Sequence, residues 1–222
     1  LYQLHWPARG SYMFRQNWTF DPSGQDRAQT MDHIGGVLEK LKQAQADGKI
    51  RAFGLSNESA WGTTKWIDVA QELGAPRVAS VQNEYSLLCR LYDTDMAEMS
   101  VNEDVVCFSF SPLAAGLLTG KYQNGAVPDG SRMTFGPQLG GRVQPRVFDA
   151  VDAYLKVAEK HAISLAHMAM AFQRSRPFKV SAIFGASTST QLAELLKGKD
   201  LELSDEVLAD IDTAHRTHPM PF

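Results

Sequence analysis

The feature that most limits what this chain can fold into is a series of short apolar runs. Each is cut off by polar residues or glycine, and helical patterns separate them. The runs begin at Leu1, Ile50, Val78, Val105 and Val180. Short runs that stay apolar without alternating suit strands of a parallel sheet covered on both faces. Between the first two, Ile34, Val37, Leu38 and Leu41 share one face of a helix over residues 30–47. Further helices are expected over 61–73, 93–100, 146–161, 165–174 and from 190. Ser204 opens a last one, reaching His215, as N-cap before an acidic first turn. Residues 8–28 and 119–145 read as long loops. Alternating strands and helices imply either a doubly wound sheet or a (β/α)₈ barrel, and periodicity does not choose between them.

Net charge is −3, so nothing in the composition points to nucleic acid or an anionic membrane surface. No apolar run is long enough to cross a bilayer. Cys89 and Cys107 show neither metal-ligand spacing nor a disulfide framework, which fits a reducing cytoplasm. In parallel α/β folds ligands bind at the C-terminal ends of the strands. Those ends here are His5, Ser56-Asn57, Gln82-Asn83, Ser111-Pro112 and Gly185-Ala186-Ser187.

The same residues carry a family resemblance. Leu1-Tyr2-Gln3-Leu4-His5-Trp6-Pro7 resembles the fourth strand of aldo-keto reductases. The segment from Gly48 to Ser56-Asn57 resembles their fifth-strand segment, and Gln82-Asn83-Glu84-Tyr85-Ser86-Leu87-Leu88 is similar to their sixth. Phe110-Ser111-Pro112-Leu113 through Gly116 to Gly120-Lys121-Tyr122 resembles the next, and Gly185-Ala186-Ser187 with Gln191 and Glu194 the last. The nearest likeness is to the Tas-like branch, related to the potassium-channel β-subunits.

The resemblance implies an α/β fold, a (β/α)₈ TIM barrel. The chain would be one N-terminally truncated domain over residues 1–222, about strands 4–8. It implies reduction of aldehyde or ketone carbonyls to alcohols with NADP(H). The partner would be a small carbonyl substrate, with no nucleic acid and no membrane; oligomeric state stays open. The alternative is an NADP(H)-binding regulatory subunit with little turnover. Of the family's Asp, Tyr, Lys and His, only the His falls here, at His5. The chain alone is therefore expected to be inactive and poorly soluble.

Cofactor roles follow by the same resemblance. Ser56, Asn57 and Gln82 would hold the nicotinamide carboxamide, with Ser-Asn also a candidate N-cap for the next helix. Phe110 would stack on the nicotinamide, where Tyr or Trp is usual. Ser111, Pro112, Leu113, Ala115, Gly116 and Lys121 would wrap the pyrophosphate, with Ser131-Arg132 reaching in from the following loop. Gly185, Ser187, Gln191 and Glu194 would meet the adenosine end, although Leu195 replaces the usual Asn. Trp6, Trp18 and Phe135 are candidates for an apolar substrate pocket. His33, His161, His167, His215 and His218 read as surface or helix-end residues, and Met96 and Met99 as packing.

Overall fold

A computed structural model describes residues 1–222. In chain order the elements are β1 (Tyr2–Leu4), α1 (Arg27–Ala46), β2 (Phe53–Ser56), α2 (Ala60–Leu73), β3 (Val78–Glu84), α3 (Asp95–Asn102) and β4 (Val106–Phe110). Then follow α4 (Arg132–Phe135), α5 (Pro145–Lys160), α6 (Leu165–Arg174), β5 (Val180–Ile183), α7 (Ser189–Lys197) and α8 (Asp205–Thr217). The strands are hydrogen-bonded in the order β1-β2-β3-β4-β5. No helix is long and apolar enough to cross a membrane. All five expected strands are present. The segment read as one loop over 119–145 contains a single-turn helix, α4, and a 3₁₀ turn at Gln123–Gly125. The sequence also reads every strand as covered on both faces. Only β2 is buried throughout; β5 alternates between half-buried and exposed residues.

The residues fall into two compact units. The first comprises Leu1–Asn83, Tyr92–Phe108 and Pro177–Lys179. Here β1 and β2 pair in parallel, Tyr2 with Phe53 and Leu4 with Leu55, and β2 pairs in parallel with β3. The β2–β3 register shifts between Phe53 and Leu55, and Gly54 sits at the shift. A Cβ there would lie 2.4 Å from Ser80 Oγ and 2.9 Å from the Ser80 carbonyl oxygen, so only glycine lets the strands approach this closely. The core is built from Ile34 and Leu38 of α1, Phe53 and Leu55 of β2, Trp66 and Ile67 of α2, and Val78 and Val81 of β3. A second cluster buries Tyr92, Cys107 and Phe178, with Tyr92 Oη 2.6 Å from Ser100 Oγ. Burial pushes the Cys107 thiol up to about 12, against a weaker opposing pull from its hydrogen bond with Tyr92.

The second unit comprises Glu84–Leu91, Ser109–Arg176 and Val180–Phe222. Its core joins Val147, Val151 and Tyr154 of α5 to Met168 and Phe172 of α6 and Val207 and Ile211 of α8. Tyr154 Oη donates to the Leu87 carbonyl at 2.8 Å, and the Tyr85 and Phe172 rings stack at 6.0 Å. A buried ion pair ties the long loop to the end of β3: Arg142 Nε and a terminal nitrogen reach Glu84 Oε1 at 2.8 and 2.7 Å. Arg142 also donates to the Leu139 carbonyl at 2.7 Å and to Ser111 Oγ at 3.4 Å.

Gly54→Ala should destabilise by about 1–3 kcal/mol through overpacking. Gly36→Ala, in open space on α1, should stabilise by roughly 0.5–1 kcal/mol. Urea midpoints moving in the same direction for both would refute that reading of Gly54. Arg142→Ala should cost about 3–5 kcal/mol, because it leaves a buried carboxylate unpaired; an unchanged melting temperature would contradict this. With Ellman's reagent, half-buried Cys89 should react in the native protein and Cys107 only after unfolding. The Cys107 thiol stands above its ordinary 9.0, so its contribution to stability is complete below that pH. It is lost as pH rises from 9 toward 12, and a melting temperature flat across that window would argue against it.

Candidate functional site

In the first unit the candidate residues meet where β1, β2 and β3 end. Asn57 follows β2 with φ of 56°. Its Nδ2 donates to the His5 carbonyl at 3.0 Å and to Ser56 Oγ at 3.1 Å. Ser56 Oγ donates to the Gln82 carbonyl at 2.7 Å, and the Asn57 backbone N–H reaches the same oxygen at 3.0 Å. Gln82 thus enters the cluster through its main chain. Asn57 is buried, and its Oδ1 has no hydrogen-bond partner. An acceptor stripped of water without a donor costs about 1–3 kcal/mol, which a ligand amide could relieve. The His5 imidazole is exposed, 5.5 Å from the Trp6 ring, and makes no hydrogen bond within the chain. Trp6 packs on Phe14 at 4.5 Å, while Trp18 stands exposed.

The Ser-Asn pair does not cap α2. That position belongs to Ser59, whose Oγ accepts from Gly62 N at 3.1 Å. The pair was a plausible cap because any Ser or Asn before a helix can serve; the turn at Asn57 sets it too early. Glu58 instead pairs with Arg9 from the long loop, at 3.0 Å for Nη1 to Oε2. Asn83 bridges to the Glu58 backbone, accepting from its N–H at 3.2 Å and donating to its carbonyl at 2.9 Å.

In the second unit one groove, with a cavity volume of about 940 Å³, gathers the remaining candidates except Phe110. Ser111, Pro112, Leu113, Ala115, Gly116 and Lys121 form one wall, Arg132 lies along it, and Gly185, Ser187, Gln191 and Glu194 form the other. Phe110 ends β4 half-buried, its carbonyl accepting from Tyr85 N at 3.3 Å, and does not line the groove. Phe135 does line it and is largely exposed. The first wall follows a run of left-handed backbone: Ser111, Ala114, Ala115 and Gly116 have φ of 55°, 46°, 58° and 97°. A Cβ on Gly116 would lie 3.1 Å from Lys121 Cε, so glycine leaves the lysine its place. Successive turns of this hand make concave backbone surfaces suited to anions.

The charges in the groove fit a phosphate ligand. Lys121 and Arg132 form no ion pair within the protein, whereas Glu194 is matched by Lys197 at 2.5 Å, which also holds its carboxyl below the usual range. Ser131, which also lines the groove, is buried with an unpartnered Oγ. At the second wall, Thr188 Oγ1 caps α7 by accepting from Gln191 N at 3.1 Å, and Gln191 Oε1 accepts from Ser187 N at 2.9 Å. Sequence reasoning gave no role to Asn83, Glu84, Arg9 or Arg142. Nothing in local spacing links them, since partners such as Glu84 and Arg142 are 58 residues apart.

The chain matches the Aldo/keto reductase family over residues 1–216. It is 38% identical to Protein tas of Escherichia coli (strain K12), over the whole of this chain and 63% of that protein. It is 34% identical to the L-glyceraldehyde 3-phosphate reductase of Escherichia coli O157:H7, over 78% of this chain and 51% of that one. A solved structure, the glycerol dehydrogenase of Gluconobacter oxydans, superposes with a TM-score of 0.67 at 26% identity, covering 84% of this chain and 55% of the other. The chain therefore spans less than two thirds of the length of these relatives. Its parallel sheet and intervening helices are those of the (β/α)₈ type, and the chain belongs to the aldo/keto reductase family.

Proposed function

We propose that the protein is an NADP(H)-dependent oxidoreductase that reduces aldehyde or ketone carbonyls of small substrates to alcohols, in the cytoplasm. The observation that carries this reading is the groove of the second unit, where Lys121 and Arg132 stand without counter-charges beside an unpartnered buried Ser131 Oγ. Two cations and a hydroxyl along a left-handed backbone turn suit a pyrophosphate, with the arginine fork able to take two oxygens. Gly185, Ser187, Gln191 and Glu194 would serve the adenosine end. In the first unit Asn57 Oδ1 would accept from the nicotinamide carboxamide, with Ser56 and Gln82 holding Asn57 in place. Phe110 would offer a π-face to the nicotinamide ring.

When bound, NADPH supplies the hydride. His5 is the residue of this chain suited to the substrate oxygen: its imidazole is uncommitted and can donate a hydrogen bond or proton to a carbonyl.

The test uses the intact protein. NADPH should bind saturably, read by quenching of tryptophan fluorescence. Lys121→Ala should weaken binding by roughly ten- to a hundredfold, the weight of one charged hydrogen bond. His5→Ala should lower kcat by about a hundredfold, read as NADPH consumption against a panel of aldehydes, and leave the NADPH Kd unchanged. Failure to bind NADPH at millimolar concentration would sink the proposal. Tight binding without turnover on any carbonyl would favour a nucleotide-binding regulator instead.

A further inference from the structure

Helix α7 carries one wall of the groove yet buries none of its own residues. Its apolar side chains Leu192 and Leu196 are exposed, so packing alone holds it weakly. One polar contact stands out. His167, in the first turn of α6, places Nε2 2.7 Å from the main-chain carbonyl oxygen of Glu194 in α7. A carbonyl oxygen can only accept, so Nε2 carries the proton in this contact.

The contact fills a gap in the helix. The regular partner of the Glu194 carbonyl would be the N–H of Gly198, but that N–H turns to Leu195 and Leu196 instead. The imidazole takes its place. Gly198 also lets the ring approach: a Cβ there would lie 2.5 Å from His167 Cγ and 2.7 Å from Cδ2. The glycine has an ordinary negative φ of −88°, so space rather than backbone freedom requires it. His167 itself is largely buried, with 16% of its side chain exposed. Nearby Ser164, the N-cap of α6, and Ala166 within it line the groove, and Gln191, Glu194 and Leu195 line it from α7.

We infer that His167 is a positioning residue: it latches α7 onto α6 and so sets how tightly the adenosine end of the groove holds a nucleotide, without touching the nucleotide. This rests on the reading of the groove as a cofactor site. The latch is a side-chain N–H to a main-chain oxygen, so the side chain of Glu194 is not needed for it. A glutamine at 167 can make the same bond through its amide N–H, whereas leucine keeps the bulk and loses the donor.

The experiment compares His167→Leu, His167→Gln and Gly198→Ala with the unaltered full-length protein, in two measurements. Hydrogen exchange of the α7 amides is followed without ligand. Binding of adenosine 2′,5′-bisphosphate is measured beside reduced nicotinamide mononucleotide, which has no adenosine. His167→Leu should speed α7 exchange and raise the bisphosphate Kd about tenfold, the weight of one hydrogen bond. Binding of the mononucleotide should not change. His167→Gln should stay within a few-fold of the unaltered protein. Gly198→Ala should repeat the loss with the histidine still in place, and this holds the test if the leucine variant does not fold. Unchanged α7 exchange in His167→Leu, or a glutamine variant as damaged as the leucine one, overturns the latch. If the unaltered protein binds neither nucleotide, the cofactor reading fails, while the exchange data still decide whether His167 latches α7.

Discussion

A carboxylate removed from water must be neutralised where it stands, and each unit depends on one such pairing. In the first, Glu58 just beyond β2 is held by Arg9. In the second, Glu84, the last residue of β3, is held by Arg142. Both glutamates sit at the C-terminal end of a strand, and both arginines come from long segments without regular strands. The effect is the same in each case. A segment that would otherwise run over the surface is pinned beside the strand ends, at the face where parallel α/β folds do their chemistry. Arg142 extends the effect to Leu139 and Ser111, so one guanidinium organises both the loop and the first turn of the groove wall.

Backbone hand does the rest of the positioning. Asn57, Ser111, Ala114 and Ala115 all adopt left-handed conformations at or just after strand ends. Each costs some conformational energy for a residue with a side chain. What they gain is direction. At Asn57 the turn points the side-chain amide back across β1 and β2, where Nδ2 reaches the His5 carbonyl while the cap of α2 passes to Ser59. At Ser111 to Gly116 the turns curl the main chain along the groove and bring Lys121 against Gly116.

Much of this was legible in the sequence. Short apolar runs and their polar stops located all five strands, because the strands at the heart of a parallel sheet have few residues free to be polar. Family resemblance singled out Ser111, Gly116, Lys121, Gly185, Ser187, Gln191 and Glu194, and these line one groove, while Phe110 lies outside it. Other features depended on distant partners. The exposure of β5 follows from what lies beside it, not from Val180 or Ile183 themselves. The roles of Glu58 and Glu84 follow from arginines 49 and 58 residues away. His167 looked like a helix-end histidine, and it is one; its meaning comes from a carbonyl in another helix.

The polar atoms left without partners separate structure from function. Buried Tyr122 Oη, Ser109 Oγ and Gln173 Oε1 lack partners too, and none of them lines the groove. An orphan atom alone therefore does not mark a ligand; proteins retain a few such atoms. Ser131 differs because the residue lines a large cavity whose two cations stand without counter-charges. Asn57 Oδ1 differs because its own Nδ2, its main-chain N–H and the Ser56 hydroxyl are all bonded, so the vacant acceptor is held by a hydrogen-bonded network. Holding an acceptor unpaired in a rigid setting costs folding energy, and only a partner arriving from outside the chain returns it. The two atoms call for different partners, an amide donor at Asn57 and a phosphate oxygen or hydroxyl at Ser131.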